Sequence, residues 1–231
     1  MQYITDLIPK STPNNRRPAI PLISEYITIH STGNPSSTAK NERAWLTNPT
    51  NTRQASYHIV VDEKEAIEVI PTGLKNIFPN TQTAENSWNA GDGRGKGNMA
   101  SIAIEICESG DREKTLQNAI ELVARILMEK KWDTDRIKQH YDWSGKNCPR
   151  ILRDTGRWNW FIQQVQKKKE EIIKMNMKKD YEGHWAEKQI REIIEKGIMN
   201  GYTDGNFYPN APLTRAEMAV VALNIINYLK K

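Results

Sequence analysis

No stretch of the 231 residues approaches the roughly 18 consecutive apolar residues that a membrane-crossing helix requires, so a partner within a membrane is not expected. The opening residues MQYITDLIPKST also lack the charged start and apolar core of a secretory signal. The chain is therefore expected to be made in the cytoplasm without a signal peptide. Cysteine is scarce: Cys107 and Cys148 make no disulfide framework, and in a reducing compartment at least one is free for other chemistry. A basic face is missing too. Most of the net charge of +5 comes from one short segment, KKKEEIIKMNMKK at 167–179. A nucleic-acid-binding protein more often spreads such charge over a folded surface, so nucleic acid is not expected as a partner, and the segment reads as a solvated linker helix. The seven tryptophans serve equally to stack on sugar rings or to fill a core.

What is present alternates between strand and helix patterns. EYITIH (25–30) alternates and is rich in β-branched and aromatic residues, a strand ending at His30. SYHIVVD (56–62) and EAIEVIP (65–71) predict two more strands around the turn Asp62-Glu63-Lys64, and SIAIEIC (101–107) predicts another. In the last, Ile102, Ile104 and Ile106 share one face, and Ser101, Ala103, Glu105 and Cys107 the other. SWNAGDGRGKGN (87–98) reads as a long glycine-rich loop. Asp111 caps a helix reaching about Lys131, with an apolar stripe of Leu116, Ala119, Ile120, Val123, Ile126 and Leu127. HYDWSGKNCPR (140–150) reads as a polar, aromatic loop, followed by a helix from about Thr155. The expected class is α/β, a mixed central sheet flanked by helices. From Asp180 the pattern becomes a small all-α helix-loop-helix module. Trp185, Ile190, Ile193 and Ile194 line its first helix, Gly197 stops it, and Asp204-Gly205 turns the chain. Thr214 and Glu217 form a capping box for the second helix.

The chain has four histidines, at 30, 58, 140 and 184. Neutral imidazole and thiolate are preferred zinc ligands, and a catalytic zinc takes three protein ligands and keeps one position open. His30 at a strand end, with His140 and Cys148 in one loop, supplies such a set. Spacing alone favours the reading of His30 and His140 as structural histidines. His58 points opposite to Tyr57 and reads as a core group or one that supports the site from behind its ligands, and Cys107 as a small space-filling residue.

The surrounding blocks narrow the choice. TIHSTGN (28–34), SYHIVVD (56–62), WNAGDG with SIAIEIC (88–107) and HYDWSGKNCPR (140–150) occur in the order found in type 2 amidases. The chain resembles these N-acetylmuramoyl-L-alanine amidases, relatives of phage endolysins and peptidoglycan recognition proteins, over about residues 20–160. The resemblance implies a Zn²⁺ cofactor held by His30, His140 and Cys148, and peptidoglycan as partner. It implies catalytic roles for Glu105, Lys146 and Tyr57, and leaves open which of the three carries the proton. Asn89 departs from the family, where His often stands in the W-H-A-G-D-G stretch; the position is not a metal ligand, so substrate contacts rather than the zinc site are put in doubt. The implied reaction is attack of a zinc-activated water on the amide between N-acetylmuramic acid and L-alanine. A signal-less enzyme of this kind reads as an endolysin, acting on the cell wall after release. The rival is a non-catalytic peptidoglycan-binding protein, though such relatives typically lack the cysteine ligand.

The C-terminal residues resemble a single S-layer homology motif, through G-H-W-A (183–186), G-Y-x-D-G-x-F-x-P (201–209) and T-R-A-E (214–217). That resemblance implies anchoring to an anionic secondary cell-wall polymer. Trp185 is then a sugar-stacking face or else a core residue, and Arg215 a cation for an anionic substituent or else a structural ion-pair partner. The expected domains are 1–160 (zinc amidase), 161–179 (basic linker helix) and 180–231 (wall-binding module). The family usually strings three motifs together, and a lone module of about 50 residues is near the lower limit for a self-sufficient core. Self-assembly, most simply as a trimer, is therefore expected. Met175 and Met177 stand where an internal start would supply free copies of the module.

Overall fold

The computed structural model describes residues 1–177, 179–202 and 205–230, with the side chains of 174–177 left aside. Asp204, which the sequence places in a turn with Gly205, lies outside the described residues, as do the side chains of Met175 and Met177. The chain divides into two compact units, Met1–Glu170 and Glu171–Lys231. Among the described residues no helix is long and apolar enough to cross a membrane.

The first unit is built on a six-stranded sheet. Its strands are β1 (Gln2–Thr5), β2 (Tyr26–Ser31), β3 (Ile59–Val61), β4 (Glu65–Glu68), β5 (Ser101–Ile106) and β6 (Ile137–Gln139), in the order β1-β4-β3-β5-β2-β6. Every neighbouring pair is parallel except β3 with β4, so the expected mixed sheet is found. The alternation in β2 and β5 does what it predicts. Ile27 lies beside Ile102 and Ile29 beside Ile104, all fully buried, while His30 lies beside Glu105 on the other face. On that other face α1 (Ala39–Thr47), capped by the Thr38 hydroxyl, sets Ala39 and Leu46 among Tyr57, Val60, Ala103 and Cys107. The isoleucine face is left to α3 (Arg112–Lys130), which packs against β3, β4 and β5. Asp111 caps α3 by accepting from the Lys114 N–H at 3.0 Å, as its sequence implies.

Two segments differ from their sequence patterns. The glycine-rich stretch turns into α2 (Lys96–Met99), because the Asp92 carboxylate accepts from the N–H groups of Gly97 and Asn98. The residues read as a polar loop at 140–150 hold two short helices, α4 (His140–Ser144) and the start of α5 (Arg150–Arg153). Gln139 and Asp142 form a reciprocal cap that starts α4, and Gly145, at φ 72°, ends it. Strands β1 and β6, of four and three residues, show too little alternation to read, and helix α1 also has no sequence expectation. Helix α6 (Trp158–Met177) follows, burying Phe161 and Val165.

The second unit contains α7 (Glu187–Glu195) and α8 (Arg215–Leu229). Its core is small: Tyr181, Ile190 and Phe207, with Ala186, Ile193, Ile194 and Met199 packed against it. The Asp180 carboxylate accepts from the N–H groups of Phe207 and Tyr208 and so closes the loop onto this core. The capping box is as expected, the Glu217 N–H donating to the Thr214 hydroxyl at 3.2 Å and the Thr214 N–H to the Glu217 carboxylate at 2.8 Å. Trp185 corrects the sequence reading. It precedes α7 instead of lining it and is 86% exposed, which removes the core alternative for this residue.

Candidate metal centre

The site forms where three parallel strands end. His30 lies near the end of β2, on the face opposite Ile27 and Ile29. His140 follows directly on β6, which pairs with β2. Cys148 reaches the same place from the segment after α4, held there by its carbonyl, which accepts from the Tyr141 N–H at 3.1 Å. All three side chains are buried. His30 Nδ1 lies 3.1 Å from His140 Nδ1 and 3.8 Å from Cys148 Sγ, and the three donor atoms all fall within 4.8 Å of one another. Neighbouring corners of a tetrahedral zinc site, with Zn–N near 2.0–2.1 Å and Zn–S near 2.3 Å, stand about 3.3 Å apart for N···N and about 3.6 Å for N···S. The donor set and its spacing therefore fit zinc.

Burial controls the protonation of this cluster. It pushes His30 well below the ordinary histidine range, with His140 adding to the effect. It pushes His140 down to about 4, helped by the Lys146 ammonium, and pushes the Cys148 thiol up to about 12, with Glu105 next in effect. Both imidazoles are thus held neutral, with lone pairs available to a cation.

Glu105 lies beside His30 in register on β5 and is half-buried. Burial, then the Glu42 carboxylate, drives its carboxyl up to about 8, against the pull of Lys146. These residues sit in an open cleft of about 1300 Å³, which also receives Lys146 and Tyr57 and extends past Trp45, Arg53 and Trp88. Lys146 is exposed at the rim. Tyr57 is 6% exposed, and its hydroxyl donates to the Glu42 carbonyl at 2.9 Å and lies 3.3 Å from the Glu42 carboxylate. Burial and Glu42 both push its phenol up, so the hydroxyl is tied to α1. His58 is fully buried, as its sequence position implies, and burial pushes it down to about 4. Cys107 packs in the apolar cluster beneath α1, and burial pushes its thiol up.

Two features of the site escape sequence reasoning. Glu108, just past β5, accepts from the Gly33 N–H at 2.9 Å and from Arg150 Nε and Nη2 at 3.0 and 2.5 Å. Although burial opposes it, these bonds hold the Glu108 carboxyl below the ordinary range. One carboxylate thus joins the segments that follow His30, Glu105 and Cys148. Glu108 and Arg150 are 42 residues apart, so only their closeness to Glu105 and Cys148 in the chain hinted at them. The second is Asn89, whose Oδ1 lies 3.2 Å from His30 Nε2. The family departure marked the position, but not this contact.

In the second unit, Trp185 is exposed beside His184, their ring centroids 5.5 Å apart, and Arg215 opens α8 at the surface. Neither lines the cleft of about 230 Å³ bounded by Ile198, Met199, Tyr202, Leu213, Val220 and Asn224.

Comparison with known proteins gives the same two-part division. A family profile described as N-acetylmuramoyl-L-alanine amidase matches residues 19–151, and one described as S-layer homology domain matches 179–219. The N-acetylmuramoyl-L-alanine amidase CwlA of Bacillus subtilis (strain 168) is 34% identical over 94% of this chain and 75% of its own length. XlyB of the same organism, named likewise, is 38% identical over 62% of this chain and 43% of its own length. The solved catalytic domain of XlyA superposes with a TM-score of 0.61 at 36% identity, over 71% of this chain and 99% of that domain.

Proposed function

The chain belongs to the N-acetylmuramoyl-L-alanine amidase family and carries an S-layer homology domain, and from that premise we propose that it is a zinc-dependent peptidoglycan hydrolase. Its bond is the amide between N-acetylmuramic acid and the L-alanine of the stem peptide. The observation that carries this reading is the convergence of His30 Nδ1, His140 Nδ1 and Cys148 Sγ beside Glu105 at the floor of an open cleft. Zinc held by those three would supply a Lewis acid and a bound water acidic enough to ionise near pH 7. Glu105, with its carboxyl raised toward neutrality, is suited to take a proton and return it to the leaving amine. The Lys146 ammonium at the rim offsets negative charge on the carbonyl oxygen. Tyr57, with its hydroxyl tied to Glu42, acts by shaping the cleft beside Glu105.

The test is mass spectrometry of fragments released from purified peptidoglycan, with and without a chelator. Free stem peptides bearing a new L-alanine amine, lost on chelation and restored by Zn²⁺, are expected. Binding of peptidoglycan with no new amine would move the protein to the recognition class instead.

The domain reading that follows is catalysis in 1–160, a basic linker in 161–179 and wall binding in 180–231. Trp185, exposed beside His184, and Arg215 are proposed to hold an anionic secondary cell-wall polymer. The module is also proposed to assemble with copies of itself, most simply as a trimer. This is supported by α8, which exposes Met218, Val220, Leu223, Ile226 and Leu229 and buries none of its residues. Sedimentation as a monomer at micromolar concentration would remove that idea. Starts at Met175 or Met177 would add free modules, and intact-mass measurement finding only full-length chain would exclude them.

A further inference from the structure

The polar side chains behind His30 form one hydrogen-bonded chain with a single possible direction. It begins at buried His58, whose Nδ1 accepts from the Ala103 N–H at 2.9 Å, so the ring proton sits on Nε2 and is donated to the Glu85 carbonyl at 2.8 Å. The Ser87 hydroxyl is 3.2 Å from the same His58 Nδ1, which can only accept, so Ser87 donates there. Ser87 in turn accepts from Asn89 Nδ2 at 3.1 Å.

The orientation of Asn89 is set independently. Its Nδ2 also lies 3.1 Å from the Gly97 carbonyl oxygen, which can only accept. The amide nitrogen must therefore face Gly97 and the amide oxygen must face His30. A side chain at Gly97 would collide with Ala90 and Trp143, so the glycine is what lets this carbonyl come so close. The Asn98 side chain fixes the backbone, its Oδ1 accepting from the N–H groups of Asn89 and Ala90 at 2.7 Å. With Asn89 Oδ1 presented at 3.2 Å, His30 carries its proton on Nε2 and leaves the Nδ1 lone pair aimed at His140 and Cys148.

We infer that Asn89 is a positioning residue. Through the His58–Ser87–Asn89 chain it selects the tautomer of His30 that can bind a metal and holds the ring in place. The departure from histidine at this position thus keeps one acceptor for His30 and one donor for the Gly97 carbonyl. The inference rests on the metal-site reading above. Partners of this kind change metal affinity by about 10- to 100-fold when removed.

The experiment is a zinc titration of the full chain against a chromophoric chelator, on the wild type, H30A, N89A and S87A, with the melting temperature of each metal-free protein measured alongside. Asn89→Ala is expected to bind zinc about 10- to 100-fold more weakly, with Ser87→Ala weakened in the same direction by less. A purely structural Asn89 would lower the melting temperature and leave zinc affinity unchanged; that result overturns the inference. Should N89A fail to fold, S87A decides, and unchanged affinity there overturns it equally. A wild type that binds no zinc, or binds it no more tightly than H30A, would sink the metal reading itself. Tight wild-type binding matched by folded N89A would sink only the chain behind His30.

Discussion

Helices α3 and α8 use their apolar side chains in opposite ways. In α3 ten of the nineteen residues are buried against the sheet, and seven of the other nine are charged. In α8 apolar side chains occur all round the helix, yet none of its fifteen residues is buried. A surface helix of a self-contained domain is amphipathic, whereas one apolar on every side belongs inside something larger. The first unit therefore completes its own core. The second presents a helix whose sequence calls for a neighbour that its own small core does not provide.

The largest expected effect would confine catalysis to the first unit. His30→Ala or Cys148→Ala should abolish zinc binding and reduce amide cleavage at least about 10³-fold, leaving wall binding by the second unit intact. A sedimentation assay with purified walls measures the second half of that statement. Glu105→Gln sharpens the point, since it should lower kcat by about 10²- to 10⁴-fold while zinc content, measured by atomic absorption, stays at the wild-type level.

A third prediction separates the units by pH. His58 is neutral in the fold, with its pKa pushed from 6.5 to about 4. Between those values the unfolded chain binds a proton that the native state refuses, so stability falls as pH falls. The contribution is complete above about 6.5 and is lost through about 4, for a total of about 3 kcal/mol. Denaturant unfolding of chelated protein from pH 7 to 4 should show this slope in the first unit, and the H58Q variant should show less of it.

Two smaller effects concern α8. Leu223→Glu places a charge on a side chain that is 57% exposed. It should change the stability of the isolated chain by less than about 0.5 kcal/mol and shift sedimentation toward a monomer. A marked fall in melting temperature would instead mean that α8 already packs within one chain. Thr214→Ala removes the cap of α8 and should destabilise the second unit by about 1 kcal/mol, without altering cleavage of soluble muropeptide.

Much of the frame was legible beforehand because its signals are local. Alternation in Tyr26–Ser31 and Ser101–Ile106 assigns faces, and Asp111 and Thr214 mark helix starts through bonds to residues three places away. The short helices at 140–153 were not legible, since α4 starts at the Gln139–Asp142 cap and ends at a glycine that reads equally as loop. Trp185 was misplaced because an apolar residue at helical spacing looks the same whether or not the helix has begun.

By itself, the sequence determined which chemistry was on offer: neutral nitrogen and sulfur donors, a carboxylate facing away from an isoleucine stripe, and an apolar terminal helix. Only the tertiary structure decided which of these meet. His30, Glu105 and His140 become neighbours because β2 lies between β5 and β6, an order set by long-range pairing. The tautomer of His30 is decided by a carbonyl 67 positions further along the chain, since hydrogen-bond direction depends on what the fold brings within 3 Å and not on what the sequence sets side by side.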